Sequence, residues 1–378
     1  MRKKRVLIAA STYPPAFGGS GLEAHRLYRR LTRRLPIEVS ALTQSGRGQP
    51  AGVDRHEGVR VRRVDPSRSL AAQVLTVGRL MLGRGVRSFD LVHAKDSSRP
   101  VLAACYWARV LAIPVIREMT LPSEGRVAAW KAALIRGTFS GARLLFAVNG
   151  MIRSEYIGMD APEERIRMNP YPIDTDTFRF PAPEERADAR SALGFVEGDV
   201  VHFVLGRIQP RKNQRMALQT LAQLPERHKL ILAGPKGGEE YLNSIRTTMG
   251  EAGLRGRVVL LPEVQEDPLP LYHAADTYLL PSLQEGGPNA VFEALCCGLP
   301  VIVNEALGLD RYIEDGMNGF CVPLEAARFA RAVRSLDDKV HDLRYRRAAA
   351  ERSAQRYGAA ALDPQYAQHI ADLLKIRP

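Results

Sequence analysis

The sequence predicts an α/β protein built from two doubly wound domains, and three observations carry that expectation. At 378 residues the chain exceeds what one hydrophobic core of ordinary size organises and suits two. Short apolar runs bounded by turn residues alternate with segments of helical period along the whole length, the pattern of βαβ units and parallel sheets. The rhythm is broken at "MNPYPIDTDTFRFPAPEE", whose Pro and Asp density reads as a linker or hinge. The expected domains are 1–172 and 173–378, with the last helix free to return to the N-terminal domain. Ligands of open α/β sheets bind beyond the carboxyl ends of the strands, so the chemistry is expected on strand–helix loops in a cleft between the domains.

Taken in order, the strands of the first half are "RVLIAAS", "IEVSALT", "VRVRRV", "DLVHAK", "PVIREM" and "LLFAVN". Those of the second are "VVHFVLG", "HKLILAG", "RVVLLPE", "DTYLLPS" and "PVIVNE". The segment beyond about residue 326 is rich in Arg and Ala at helical spacing and carries no chemistry. The apolar run Val6 to Ala10 is shorter than the roughly 7–15 residues of a signal-peptide core, so it reads as a buried first strand. The most apolar stretch, "VLAACYWARVLAIPVI", is broken by Arg109 and Pro114 and falls short of the ~18 residues of a spanning helix.

With 45% hydrophobic and 25% charged residues, the composition is that of a globular protein. Cys105, Cys296, Cys297 and Cys321 form no CxxC pair and have no metal-ligand spacing, so they read as small buried hydrophobes in a reducing, cytoplasmic compartment. The charge is lopsided: residues 1–190 hold 32 Lys and Arg against 18 Asp and Glu, the remainder 22 against 23. A basic half suits an anionic partner or is simply a solvated arginine-rich surface. Nucleic acid is not expected, because no basic motif is interleaved with aromatic stacking residues. The Arg-rich "AHRLYRRLTRRL" suits peripheral contact with anionic lipid at the inner face of a membrane.

The stretch "EGGPNAVFEALCCGLP" sets two carboxylates eight positions apart. Pro288 suits a first helical turn and Gly298 the position just beyond a helix end, so Glu285 precedes a helix and Glu293 lies on it. A glycosidase holds its carboxylates roughly 5–9.5 Å apart, whereas eight helical residues span about 12 Å. The pair therefore suits two separate grips on one long polyhydroxylated ligand. Gly286, Gly287 and the amides of Asn289 and Ala290 at the helix start suit a phosphate between them. Sugar, phosphate and ribose in a row describe a nucleotide sugar.

The string "PSLQEGGPNAVFEALCCGLPVIV" resembles the E-x7-E signature of the retaining glycosyltransferases of family 4, which have the GT-B fold of two Rossmann-like domains. The resemblance implies that Glu285 holds the donor sugar and Glu293 the nucleotide ribose. "LGRIQPRKNQRMALQTL" is similar to the family's G-R-x4-K-N element, which implies that Gly206 lets the chain approach the donor and that Arg207 and Lys212 contact its phosphates. "STYPPAFGGSGLEAHRLYRRL" is similar to the family's N-terminal glycine loop, with Gly19 against the diphosphate. "DLVHAKDSS" and "PVIREMTLP" resemble the acceptor-side strand ends, which brings in His93 and Glu118. Arg117 and Glu118 depart from the usual pairs there. Asp174-Thr175-Asp176 imitates a metal-binding D-x-D, but its setting resembles the family's metal-free interdomain segment.

The residues and the resemblance together imply a hexosyltransferase that needs no metal and no cofactor. Its expected donor is a UDP- or GDP-sugar, and its expected acceptor a hydroxyl on a glycan, a glycolipid or a small molecule, lipid-linked and anionic acceptors included. Two alternatives stay open. One is a sugar-nucleotide epimerase of similar fold. The other is an NAD-dependent oxidoreductase, because Gly19 to Ala24 satisfies G-x-G-x-x-A, although the second strand ends without the acidic residue such a site uses.

Overall fold

The computed structural model describes residues 2–16, 19–46, 48–83, 88–119 and 129–377. It divides into two compact units: residues 1–171 together with 362–378, and residues 172–361.

The first unit runs β1 (Lys4–Ala9), α1 (Gly19–Leu31), β2 (Ile37–Gln44), β3 (Gly52–His56), β4 (Val59–Val64), α2 (Leu70–Leu82), β5 (Leu91–Ala94), α3 (Arg99–Val110), β6 (Val115–Glu118), α4 (Ala129–Ser140), β7 (Leu144–Ala147), α5 (Gly150–Gly158) and β8 (Ile166–Met168). The eight strands form one sheet in the order β3-β4-β2-β1-β5-β6-β7-β8. Every pairing is parallel except β3 with β4. The inner strands β5, β6 and β7 are buried at every position, as strands covered by helices on both faces must be.

The second unit contains α6 (Pro183–Ala192), β9 (Val200–Leu205), α7 (Gln214–Leu221), β10 (His228–Ala233), α8 (Glu239–Glu251), β11 (Val258–Leu261), α9 (Leu269–Ala274), β12 (Thr277–Leu280), α10 (Asn289–Cys296), β13 (Val301–Asn304), β14 (Gly319–Val322), α11 (Ala326–Ser335), α12 (Asp337–Val340) and α13 (Leu343–Tyr357). Its six-stranded sheet is parallel throughout, in the order β11-β10-β9-β12-β13-β14. A buried ion cluster ties its layers. Asp276, at the head of β12, meets Arg186 at 2.6 Å, Arg190 at 3.2 Å and Arg346 at 3.1 Å, and accepts the Val201 amide at 2.8 Å. Burial alone pushes the Asp276 carboxyl upward, but the three guanidinium groups outweigh it and hold it below the usual range.

The last helix, α14 (Ala359–Leu374), starts in the second unit and belongs to the first from Leu362 onward. Leu362, Tyr366, Ile370 and Leu374 are buried in one cluster with Val6, Ile8, Tyr28 and Phe146, and Asp363 bonds Arg30 at 2.8 Å.

Each expected strand is present, and three others were not foreseen. β3 is mostly exposed and charged, β8 has three residues, and β14 is a half-buried edge. β3 and β8 therefore lack the apolar run by which a buried strand is read, whereas β14 is such a run, GFCV, that the sequence reading passed over. α10 starts one residue later than expected, because Pro288 is its cap and not its first turn.

Candidate active site

The candidate residues of the second unit gather where β9 and β12 end. β9 stops at Gly206, whose φ is +148°. A Cβ there would be strained and would sit 3.2 Å from the Lys212 stem. The turn Pro210–Lys212 follows, Asn213 takes the left-handed conformation that redirects the chain, and α7 begins. Gln214 secures the turn by donating to the Arg207 carbonyl at 3.0 Å. Arg207 is exposed.

The loop after β12 is strapped to this turn. The Leu283 amide donates to the Arg211 carbonyl at 2.8 Å, and the Arg211 guanidinium donates to the Gln284 carbonyl at 2.6 Å. Lys212 Nζ meets Glu285 Oε1 at 2.5 Å, and Arg211 lies 3.6 Å from the other carboxylate oxygen. Glu285 is buried. Opposite charges at this distance in a partly desolvated pocket fix both side chains. Arg211 is a site residue that sequence reasoning passed over. Its signal was its place inside the same string as Arg207 and Lys212.

Glu293 stands half-buried on α10, where its Oε2 accepts from Tyr272 of α9 at 2.6 Å. Burial raises the Tyr272 hydroxyl well above its ordinary pKa, and the Glu293 charge adds to it. Tyr278 is raised in the same way by burial, then by Glu285 and by Glu293, so the charge of both carboxylates reaches one tyrosine. The Asn289 amide is engaged with the Gly287 carbonyl at 2.9 Å and is not free for a phosphate as expected. The Asn289 side-chain oxygen is buried with no hydrogen-bond partner among the described residues, an arrangement that a ligand hydroxyl or N–H would satisfy. Gly286 is buried, and Gly287 and Ala290 are half-buried beside it.

The first unit places its expected residues differently. Gly19 is exposed with open space around it, whereas a Cβ on Gly21 would lie 1.9 Å from the Thr12 carbonyl oxygen. The glycine on which close packing depends is therefore Gly21. Phe17 and Gly18 of that loop lie outside the described residues.

His93 and Glu118 do come together, but inside the unit and not toward a ligand. His93 bonds Tyr28 at 3.0 Å and Glu118 at 3.1 Å, and Lys95 bonds Glu118 and Tyr171 at 2.8 Å each. His93 and Lys95 are 0% exposed and Glu118 1%, so an acceptor hydroxyl would reach His93 or Glu118 only if this cluster opened. Burial holds His93 below its ordinary pKa. For Glu118 burial acts upward, and Lys95 and His93 outweigh it to leave the carboxyl below its usual range. Arg117 is also buried. It donates to the carbonyls of Ala94 and Asp96 and to Ser97, which fixes the loop after β5. Asp174 is taken up by its own turn, accepting from the Asp176 amide at 3.2 Å and the Thr177 hydroxyl at 3.0 Å.

Parallel α/β units with cations and carboxylates on the strand-end loops define a nucleotide-handling class of protein, and the comparisons narrow it. Residues 185–355 match the family model "Glycosyl transferases group 1" and residues 18–172 match "Glycosyl transferase 4-like domain". Between them they take in most of the chain, which belongs to the family 4-like glycosyltransferases. The D-inositol 3-phosphate glycosyltransferase of Xylanimonas cellulosilytica is 28% identical over 93% of this chain and 92% of its own length. The protein of that name from Mycobacterium sp. strain KMS is 36% identical over 152 residues, 40% of this chain, and the match spans 34% of that relative's length.

Among solved structures, HepE of Anabaena in complex with UDP is similar with a TM-score of 0.80 at 19% identity, over 98% of this chain and all of that one. Sucrose-phosphate synthase of Thermosynechococcus elongatus reaches 0.81 at 18% identity, over 99% and 100%. The fold is that of the GT-B glycosyltransferases. Among the described residues no helix is long and apolar enough to cross a membrane.

Proposed function

We propose that the protein is a retaining, metal-independent hexosyltransferase that moves a sugar from a nucleoside-diphosphate sugar to an acceptor hydroxyl. The observation that carries this reading is the Lys212–Glu285 contact at 2.5 Å, which joins the basic turn after β9 to the carboxylate loop after β12 with Arg207 exposed beside it. Neighbours of the same fold are described in complex with UDP and with UDP-glucose, which supports a donor of that chemistry.

In this reading the acceptor oxygen forms a bond to the anomeric carbon as that carbon's bond to the diphosphate breaks. Both events take place on one face of the sugar, so configuration is retained. The acceptor proton passes to the departing phosphate oxygen, and the nucleoside diphosphate leaves. Negative charge grows on the diphosphate, and the cations of Arg207 and of Lys212, the latter held by Glu285, stabilise it more in the transition state than in the ground state. Glu285 aligns Lys212 and accepts from a sugar hydroxyl. Glu293, oriented by Tyr272, accepts from the ribose. The acceptor is a glycan, a glycolipid or a small molecule, with anionic and lipid-linked forms included.

Calorimetric titration with UDP, GDP, ADP and NAD in the presence of EDTA tests the reading. One nucleoside diphosphate is expected to bind with micromolar affinity, and Arg207→Ala and Glu293→Ala are each expected to weaken it at least tenfold. Binding of NAD alone, or binding that ignores both substitutions, overturns the assignment. Turnover of the donor sugar without any acceptor would point instead to an epimerase.

A further inference from the structure

The first unit carries a groove that the candidate active site does not use. It offers about 1140 Å³ against α2, α3 and α4, somewhat more than the roughly 300–1,000 Å³ of ordinary small-molecule sites. Its walls include Leu70, Val74, Leu102, Trp107, Trp130 and Leu134. Two glycines shape the aromatic walls. Gly78 leaves room for the Trp107 ring, which a Cβ would meet at 2.6 Å, and Trp107 Nε1 donates to the Val74 carbonyl at 3.1 Å. Gly137 does the same for Tyr106, whose hydroxyl donates to the Leu134 carbonyl at 2.9 Å. Both rings are thereby fixed to neighbouring helices.

Leu70, Trp130 and Val110 are 49%, 64% and 74% exposed. Isolated apolar side chains on a surface are ordinary, but these three converge on one groove. Arg99, Arg109 and Lys131 also line it, and no carboxylate does among the described residues. Nor has any of these three cations an ion-pair partner among the described residues. The arginines of α1 differ, since Arg26 meets Glu23, Arg29 meets Glu57 and Arg30 meets Asp363. Cations without an ion-pair partner among the described residues therefore line this apolar groove, whereas the three arginines of α1 are each engaged by a carboxylate.

We propose that the groove binds the hydrocarbon chain of a phosphorylated lipid, with the chain along the Trp107 and Trp130 walls and the phosphate at the cationic rim to which Arg99, Arg109 and Lys131 belong. A concave wall fits a single chain better than it fits the plane of a bilayer. Each methylene removed from water raises affinity about fourfold, so binding depends on chain length. That such a lipid is the glycosyl acceptor rests on the transferase reading. The binding itself does not.

The chain has two tryptophans, and both line this groove, so the emission of the unmodified protein reports its occupancy. Dodecyl phosphate, titrated below its micelle concentration without nucleotide, is expected to give a saturable blue shift. Octyl phosphate is expected to bind at least tenfold more weakly and dodecyl maltoside at least fivefold more weakly, while inorganic phosphate leaves the emission unchanged. Val110→Asp and the pair Arg99→Ala with Lys131→Ala, all exposed positions, are expected to weaken dodecyl phosphate at least tenfold and to leave nucleoside-diphosphate titrations unchanged. The proposal is overturned by no shift, by affinity indifferent to chain length, or by equal binding of the maltoside. A shift seen only with phosphatidylcholine–phosphatidylglycerol vesicles also overturns it and marks a membrane-docking face. Failure of the transferase reading would appear separately, as lost nucleotide binding with the groove still occupied.

Discussion

Tyr272 carries a hydroxyl whose worth depends on its partner. Its hydrogen bond to Glu293 at 2.6 Å has a charged acceptor, and such bonds contribute about 1.5–3 kcal/mol. Tyr272→Phe keeps the ring and removes only the donor, so nucleoside-diphosphate affinity measured by calorimetry is expected to fall about tenfold without loss of the fold. Unchanged affinity would mean that Glu293 needs no orienting group. Glycine 21 offers a second contrast at this scale. With a backbone oxygen 1.9 Å from where its Cβ would stand, Gly21→Ala is expected to cost about 1–3 kcal/mol by overpacking. Gly19→Ala, in open space on α1, is expected to be neutral or slightly stabilising. Urea unfolding of both variants checks the pair. The sequence marked Gly19 and left Gly21 as one letter of a motif, because a close approach between segments seven or more residues apart leaves no trace in composition.

Strands buried in a parallel sheet announce themselves, and so β1, β2, β5, β6, β7, β9, β10, β12 and β13 were legible as apolar runs. The half-buried edge β11, VVLL, was legible too, while the edges β3 and β8 carry no such run and the short edge β14 was passed over. The site was legible for a related reason. Arg207, Lys212 and Glu285 sit on loops directly after such strands, where their strings keep a fixed spacing, whereas Tyr272 lies in the short apolar helix α9 with no motif around it. His93 and Glu118 mark the limit of that reading, since the pattern found them at strand ends but did not reveal that Tyr28, Lys95 and Tyr171 enclose them.

The sheet of the second unit also carries a pH dependence. His202 of β9 bonds Thr277 of β12 at 2.6 Å and His228 of β10 at 3.0 Å. Burial, with His228 beside it, pushes His202 down to about 3. It is therefore neutral in the folded state, while the unfolded chain takes up its proton near pH 6.5. Stability on this account falls as pH drops below that value, by up to about 1.4 kcal/mol per unit. Melting of the protein between pH 7 and pH 5 is expected to lose about 2 kcal/mol more than melting of His202→Gln. Parallel slopes would show that the imidazole is protonated in the fold.

Across the whole chain, the two units are not made of two successive halves. The first takes its closing helix from the far end of the sequence, with Leu362, Tyr366, Ile370 and Leu374 filling the same cluster as Val6 and Ile8. Truncation after Ala361 removes those four apolar side chains from the first unit and nothing from the second. Such a chain is expected to retain nucleoside-diphosphate binding through the turn after β9, while the first unit loses its cooperative unfolding transition in calorimetric scans. Loss of both together would show that the second unit does not stand alone.

The same connectivity sets an order of assembly during synthesis. Domains ordinarily fold as they emerge, the N-terminal one first, but here residues 1–171 wait for residues 362–378, which the ribosome delivers only after the whole second unit. The contiguous second unit is free to form while the first still exposes the apolar face that α14 will cover. A message cut short before residue 362 would therefore yield a folded second unit attached to an unfinished, aggregation-prone first one.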